Sequence, residues 1–151
     1  MNKGFTLIEF IIAISIVLVL ATLAIISFSS FRNNQALSNS FSGVISIINE
    51  AKIDTISSKD GSSYGVHFEA DRVVLFKGVT FSEPNPDNKE FEFSPLVEIS
   101  LITLNGGGSD MAFKRLTGKT DQYGSLILRV KSDISKTKTI NITPSGSINQ
   151  N

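Results

Sequence analysis

Glu9 is the residue whose chemistry stands out first. It is the only acid or base between Lys3 and Arg32, and it stands at the mouth of a strongly apolar run from Phe10 to Phe31. An ionisable side chain costs roughly 2.5 to 3.5 kcal/mol at the centre of a membrane helix and less near its end, so a carboxylate here is a functional candidate. The plain alternative is an interfacial acid that stays among lipid headgroups. The remaining chemistry is thinner. His67 is the sole histidine, in Val66-His67-Phe68 on the outward phase of a predicted strand, and the chain has no cysteine. One His without Cys or a second His makes a poor metal site, so a solvated or packed ring is expected. Leu116-Thr117-Gly118-Lys119-Thr120 shares Gly-Lys-Thr with a phosphate-binding loop, but the first Gly of that motif would fall on Phe113, and a hairpin turn fits better. No Gly-x-Ser-x-Gly elbow is present. Glu83, Asp87, Glu90 and Glu92 form an acidic stretch that lacks the regular spacing of a calcium loop. No catalytic residue, cofactor or metal is therefore expected.

The charges divide along the chain. Up to Asp110 there are seven Lys/Arg against twelve Asp/Glu, and from Met111 onward seven against two, giving −5 and +5 within a net charge of zero. The basic residues Lys114, Arg115, Lys119, Arg129, Lys131, Lys136 and Lys138 would suit DNA phosphates if they shared a face. A solvated strand face, or contact with the acidic part of a neighbouring subunit, is the simpler expectation.

The elements that must position these residues follow from periodicity. Phe10 to Phe28 holds only Ser15, Thr22 and Ser27 as polar residues, and small hydroxyls can return their hydrogen bond to a helix backbone in lipid. About 20 such residues at 1.5 Å each cover the roughly 30 Å of hydrocarbon, which predicts a spanning helix bearing Phe10, Ile14, Leu18 and Ile25. Lys3 and Arg32 flank it and leave its orientation open. Beyond Arg32 the stripe Leu37, Phe41, Val44, Ile48 and Ala51, at spacings of four, three, four and three, predicts that the helix continues amphipathically. Gly43 is its only glycine, and Ser57-Ser58-Lys59-Asp60-Gly61 should end it.

After Gly61 the period changes to two. Val66 and Phe68, Val73 and Leu75, Phe91 and Phe93, Ile99 and Leu101, Met111 and Phe113, Leu126, Leu128 and Val130, then Ile140 and Ile142 predict short antiparallel strands. A sheet with one apolar face needs a cover, and the stripe over residues 37–51 is the natural one. The fold class expected is α+β: a long N-terminal helix, half of it in a membrane, packed on an antiparallel β-rich domain. With 151 residues there is room for one ordinary domain plus an anchor. Lacking disulfides, that domain rests on its hydrophobic core.

A short basic leader ending in Gly4, followed by Phe5-Thr6-Leu7-Ile8-Glu9 and an apolar run, resembles the signal of type IV pilins and type II secretion pseudopilins. The resemblance implies cleavage between Gly4 and Phe5 by a prepilin peptidase and N-methylation of Phe5. It implies residues 1–4 as leader, 5–31 as transmembrane and assembly helix, 32–60 as amphipathic helix and 61–151 as a β-rich domain. The helix followed by strands and the tail Ile140-Asn141-Ile142-Thr143-Pro144-Ser145-Gly146-Ser147-Ile148 resemble minor pseudopilins of the GspH/FimT type. Ile26 in place of the Pro usual in major pilins, and the absence of cysteine, depart from the commonest major class. The implied partners are other pilins or pseudopilins, the prepilin peptidase and an inner-membrane assembly platform. The implied location is the bacterial inner membrane, single-pass, with the domain outside the cytoplasm and a fibre after assembly. A DNA-binding pilus component of natural transformation is the alternative.

On physical grounds, the new amine at Phe5 gives Glu9 a partner. In a bundle of parallel helices, a neighbour displaced along the axis can bring its Glu9 beside that amine, so that two charges costly alone neutralise and fix the stagger. A pair within one chain, four residues apart, is the rival arrangement.

Overall fold

The computed structural model describes Gly4 and residues 6–150, except for the side chains of 23–27 and of 150. One long helix, α1 (Leu7–Ile56), is followed by a short 3-10 turn (Lys59–Gly61) and eight strands: β1 (Tyr64–Phe68), β2 (Arg72–Lys77), β3 (Lys89–Glu92), β4 (Val97–Leu104), β5 (Asp110–Ala112), β6 (Gly124–Val130), β7 (Asp133–Ile142) and β8 (Ile148–Gln150). Residues 1–34 and 35–151 form separate compact units. The α+β architecture is the one expected. The helix ends earlier than residue 60, because Ser58 and Asp60 adopt left-handed backbone angles before Gly61 does.

In the unit from Gln35 onward, the helical stripe is the spine of the core. Leu37, Phe41, Val44, Ile47, Ile48 and Ala51 are buried together with residues of both halves of the β region. Thr55 ties the helix end to β1: its hydroxyl donates to the Ala51 carbonyl at 2.8 Å, and its Oγ accepts the Tyr64 amide at 2.8 Å.

The β region is two sheets where a single one was expected. One has the order β3-β2-β1-β5 and the other β4-β6-β7-β8, with antiparallel pairing throughout. Both bury their inner faces in the common core, through Val66, Phe68, Val73 and Leu75 on one side and Ile99, Leu126, Leu128 and Ile140 on the other. A period of two marks which face of a strand is buried but not which sheet the strand joins.

The first sheet is also covered on its outer face. Val74 and Phe76 are buried like Val73 and Leu75, which explains the unbroken apolar run of β2. The cover is the segment 78–88, whose Phe81 stacks on His67 with ring centroids 4.0 Å apart and meets Phe76 edge-on at 5.7 Å. His67 is thus a packed ring, not an outward-facing solvated one, and the outward phase of β1 is an inner surface beneath this segment.

Gly43 is favoured by packing. A Cβ there would clash with the Phe91 ring, so the absence of a side chain lets β3 close on the helix. Gly146, at φ 69° and buried, makes the turn that returns the chain into β8 and brings its own backbone against the Gly118 carbonyl.

Candidate functional site

The first turn of α1 is a closed hydrogen-bonded box. The Thr6 amide and hydroxyl both donate to Glu9 Oε2 at 2.9 Å, and the Glu9 amide donates to Thr6 Oγ at 3.3 Å. Thr6 is the N-cap and Glu9 the third helical residue, the reciprocal capping arrangement that satisfies donors a helix start otherwise leaves open. The single carboxylate of this segment is therefore held at the positive end of the helix dipole. Gly4 is exposed; Phe5 lies outside the described residues, as does the side chain of Ile25.

Around this box the helix surface is apolar on every side. Leu7, Ile8, Phe10, Ile11, Ile14, Val17 and Leu18 are all exposed, Leu7 to 80%. The two hydroxyls of this stretch turn inward as expected: Ser15 donates to the Ile11 carbonyl and Thr22 to the Val19 carbonyl, each at 2.8 Å. Among the described residues no helix is long and apolar enough to cross a membrane. The described side chains of the apolar run stop at Thr22 and resume at Phe28. A continuous apolar surface of this kind needs a cover of lipid or of other helices.

Residues 1–25 match the model of the prokaryotic N-terminal methylation motif. Those residues carry the N-terminal signal of type IV pilin-like proteins. The architecture of the chain, a long N-terminal helix with antiparallel sheets, is the pilin-like one. The motif marks a membrane-anchored precursor that is processed at its N-terminus and assembles with other pilin-like subunits. No curated protein and no solved structure matches the chain.

The basic residues of the C-terminal part lie on different elements. Lys114, Arg115 and Lys119 share the connection between β5 and β6, where Lys114 pairs with Asp121 at 2.7 Å. Arg129 lies on the outer face of the second sheet and binds Glu98 at 2.6 Å. Lys136 stands 3.9 Å from Asp133. Lys138 turns to the helix, 3.2 Å from Ser38 Oγ and 4.9 Å above the Phe41 ring. No carboxylate partner is found for Arg115, Lys119 or Lys131 among the described residues.

Two of the four acids of the acidic stretch, Glu83 and Glu90, are held by one cation. Arg72 binds Glu69 at 2.9 Å, Glu83 at 3.1 Å and Glu90 at 3.0 Å, and these partners, Glu69 foremost, hold its guanidinium well above its ordinary range. Glu83 and Glu90 thereby anchor the covering segment and β3 instead of forming a calcium loop. No group of His, Asp or Glu able to hold a metal ion occurs among the described residues.

His67 has acid partners that local sequence did not reveal: Nδ1 lies 2.5 Å from Asp110 and Nε2 lies 3.5 Å from Glu69. Asp110 reaches it from β5, 43 positions away in sequence, so only strand pairing brings the two together.

Proposed function

We propose that this chain is a minor pseudopilin, a structural subunit of a type II secretion pseudopilus or of a related type IV pilus-like fibre. It is cleaved between Gly4 and Phe5, methylated on the Phe5 amine and held as a single-pass inner-membrane protein until assembly. The observation that carries this reading is the methylation motif at the head of a helix whose first stretch, residues 7–22, exposes apolar side chains all round and contains one carboxylate, Glu9. The role is mechanical, without catalysis. The helix exchanges lipid for a bundle of equally apolar helices, and each Glu9 meets the amine of a neighbouring Phe5. The box with Thr6 supports this, because it keeps Glu9 partnered within its own chain until that amine arrives. An intrachain partner lowers the cost of holding a charge in an apolar setting.

Mass spectrometry of the N-terminus from cells with an active prepilin peptidase is the test. A chain beginning at methylated Phe5 is expected; an intact Met1 overturns the reading.

A second reading, contact with nucleic acid, draws on Arg115 and Lys119, which stand near each other without carboxylate partners. It requires salt-dependent DNA binding that is lost in Arg115→Ala/Lys119→Ala.

A further inference from the structure

The first sheet ends in two free edges of opposite character. At one edge, β3 pairs only with β2. The Phe93 amide bonds to the Asp71 carbonyl, and by the alternation of an antiparallel ladder Phe91 and Lys89 also face β2, so the main chain of Glu90 and Glu92 faces away. At the other edge, β5 pairs only with β1. The amides of Phe113 and Phe68 bond to Tyr64 and Ser109, so the main chain of Asp110 and Ala112 faces outward. Beside Ala112 the structure leaves an open cleft of about 410 Å³. The Ala112 amide reaches only the Gln122 side chain, over 3.4 Å.

Charge distinguishes the two edges. β3 carries Lys89, Glu90 and Glu92; Lys89 is held by Glu50 and Glu90 by Arg72, and no cation partners Glu92 among the described residues. β5 carries Asp110, held by His67, and its flank carries Lys114, paired with Asp121, and Arg115 and Lys119, which have no carboxylates; the unpartnered charges are thus acidic at β3 and basic beside β5. Native sheets protect an edge with charge that repels a second edge; here the two edges attract. Direction also fits. The pairs β1–β2, β2–β3 and β1–β5 are all antiparallel, so β3 and β5 run in opposite senses. A second copy displaced along the sheet without inversion therefore places its β3 antiparallel to β5.

We infer that β3 of one copy adds to β5 of a second copy of this chain, in the cleft beside Ala112, and continues the sheet from subunit to subunit. The register that sets Ala112 opposite Glu92 brings Glu90 toward Lys114, and Gln122 moves aside to release the Ala112 amide. The contact is heterologous: each copy keeps one edge free, which gives an open row and not a closed dimer. The Ala112–Glu92 pair supplies main-chain bonds, as in other strand additions, while the main chain of Lys114 stays bonded to Lys119 and Gly118. The inference rests on the fibre-subunit reading for its setting, but not for its geometry.

The absence of cysteine makes thiol cross-linking in the full-length chain, in native membranes, a clean test. Chains bearing Glu92→Cys and chains bearing Ala112→Cys, produced together, should form a cross-linked dimer on oxidation. Both substitutions in one chain should give a ladder. Either substitution alone should give no cross-link. Arg115→Glu/Lys119→Glu in the same background should lower the ladder about tenfold with an unchanged melting temperature, and Gln122→Ala, which removes a side chain from the cleft, should raise it. A dimer from a single substitution means a symmetric contact and overturns the proposal. So does the absence of cross-link in chains that melt normally and are incorporated into fibres. A ladder from chains that are neither processed nor incorporated upholds the edge pairing and removes the fibre reading instead.

Discussion

Thr6 and Glu9 hold each other in the first turn of α1, so the two residues are expected to act unequally when changed. Glu9→Ala removes the only carboxylate that can meet the Phe5 amine. Cleavage should continue while incorporation into fibres is lost, as read by fractionating sheared fibres from membranes. Thr6→Ala leaves the carboxylate in place and frays only the helix start, so its incorporation should fall less. Equal losses would mean that the cap, and not the charge, is what assembly needs. A second residue-scale expectation concerns Tyr64, which is buried and whose hydroxyl donates to Asp60 at 3.1 Å. Burial first, then Asp60, raises its pKa above the ordinary 10.0. A raised folded value means that its stabilising contribution is complete below the unfolded pKa and is lost as pH rises through the folded one. Wild type should therefore lose stability more steeply above about pH 10 than Tyr64→Phe does, in melting temperatures measured across that range.

At the scale of elements, the helix and β3 meet through an absence. Gly43→Ala should gain up to about 1 kcal/mol of helix propensity but push the Phe91 ring, which the new Cβ would meet, at an overpacking cost of about 1 to 3 kcal/mol. Net destabilisation in denaturant is expected, and it should disappear in Phe91→Ala, where the opposing ring is gone; persistence there would place the cost elsewhere. The central stripe is less forgiving. Ile48 is fully buried in the common core, and Ile48→Ala should cost about 2 to 5 kcal/mol by equilibrium unfolding, since it opens a cavity there. The stripe itself was plain in the spacing of Leu37, Phe41, Val44, Ile48 and Ala51, all of them buried as expected. The division into two sheets was not, because the apolar positions of a strand, Ile99 or Val73, do not name the distant strand that it will pair with.

On the scale of the whole chain, the two compact units should behave as different materials. Residues 35–151 bury their apolar stripe, whereas the described side chains of 7–22 expose theirs. The piece from Gln35 onward should remain dispersed without detergent and melt cooperatively, while the full chain should require detergent or vesicles. Aggregation of the shorter piece under the same conditions would show that its core depends on residues before Gln35.

The sequence alone determined the N-terminal motif, the apolar run and the core-facing stripe, because each is written in neighbours within a few positions and rests on helix periodicity. The strand segments were legible for the same reason, through a period of two. Only the tertiary structure decided that Arg72 would gather Glu69, Glu83 and Glu90, that Phe81 would cover His67, and that two edges of opposite charge would bound one sheet. Those arrangements join residues far apart in the chain, and the pairing of strands that brings them together carries no local signature in residue spacing.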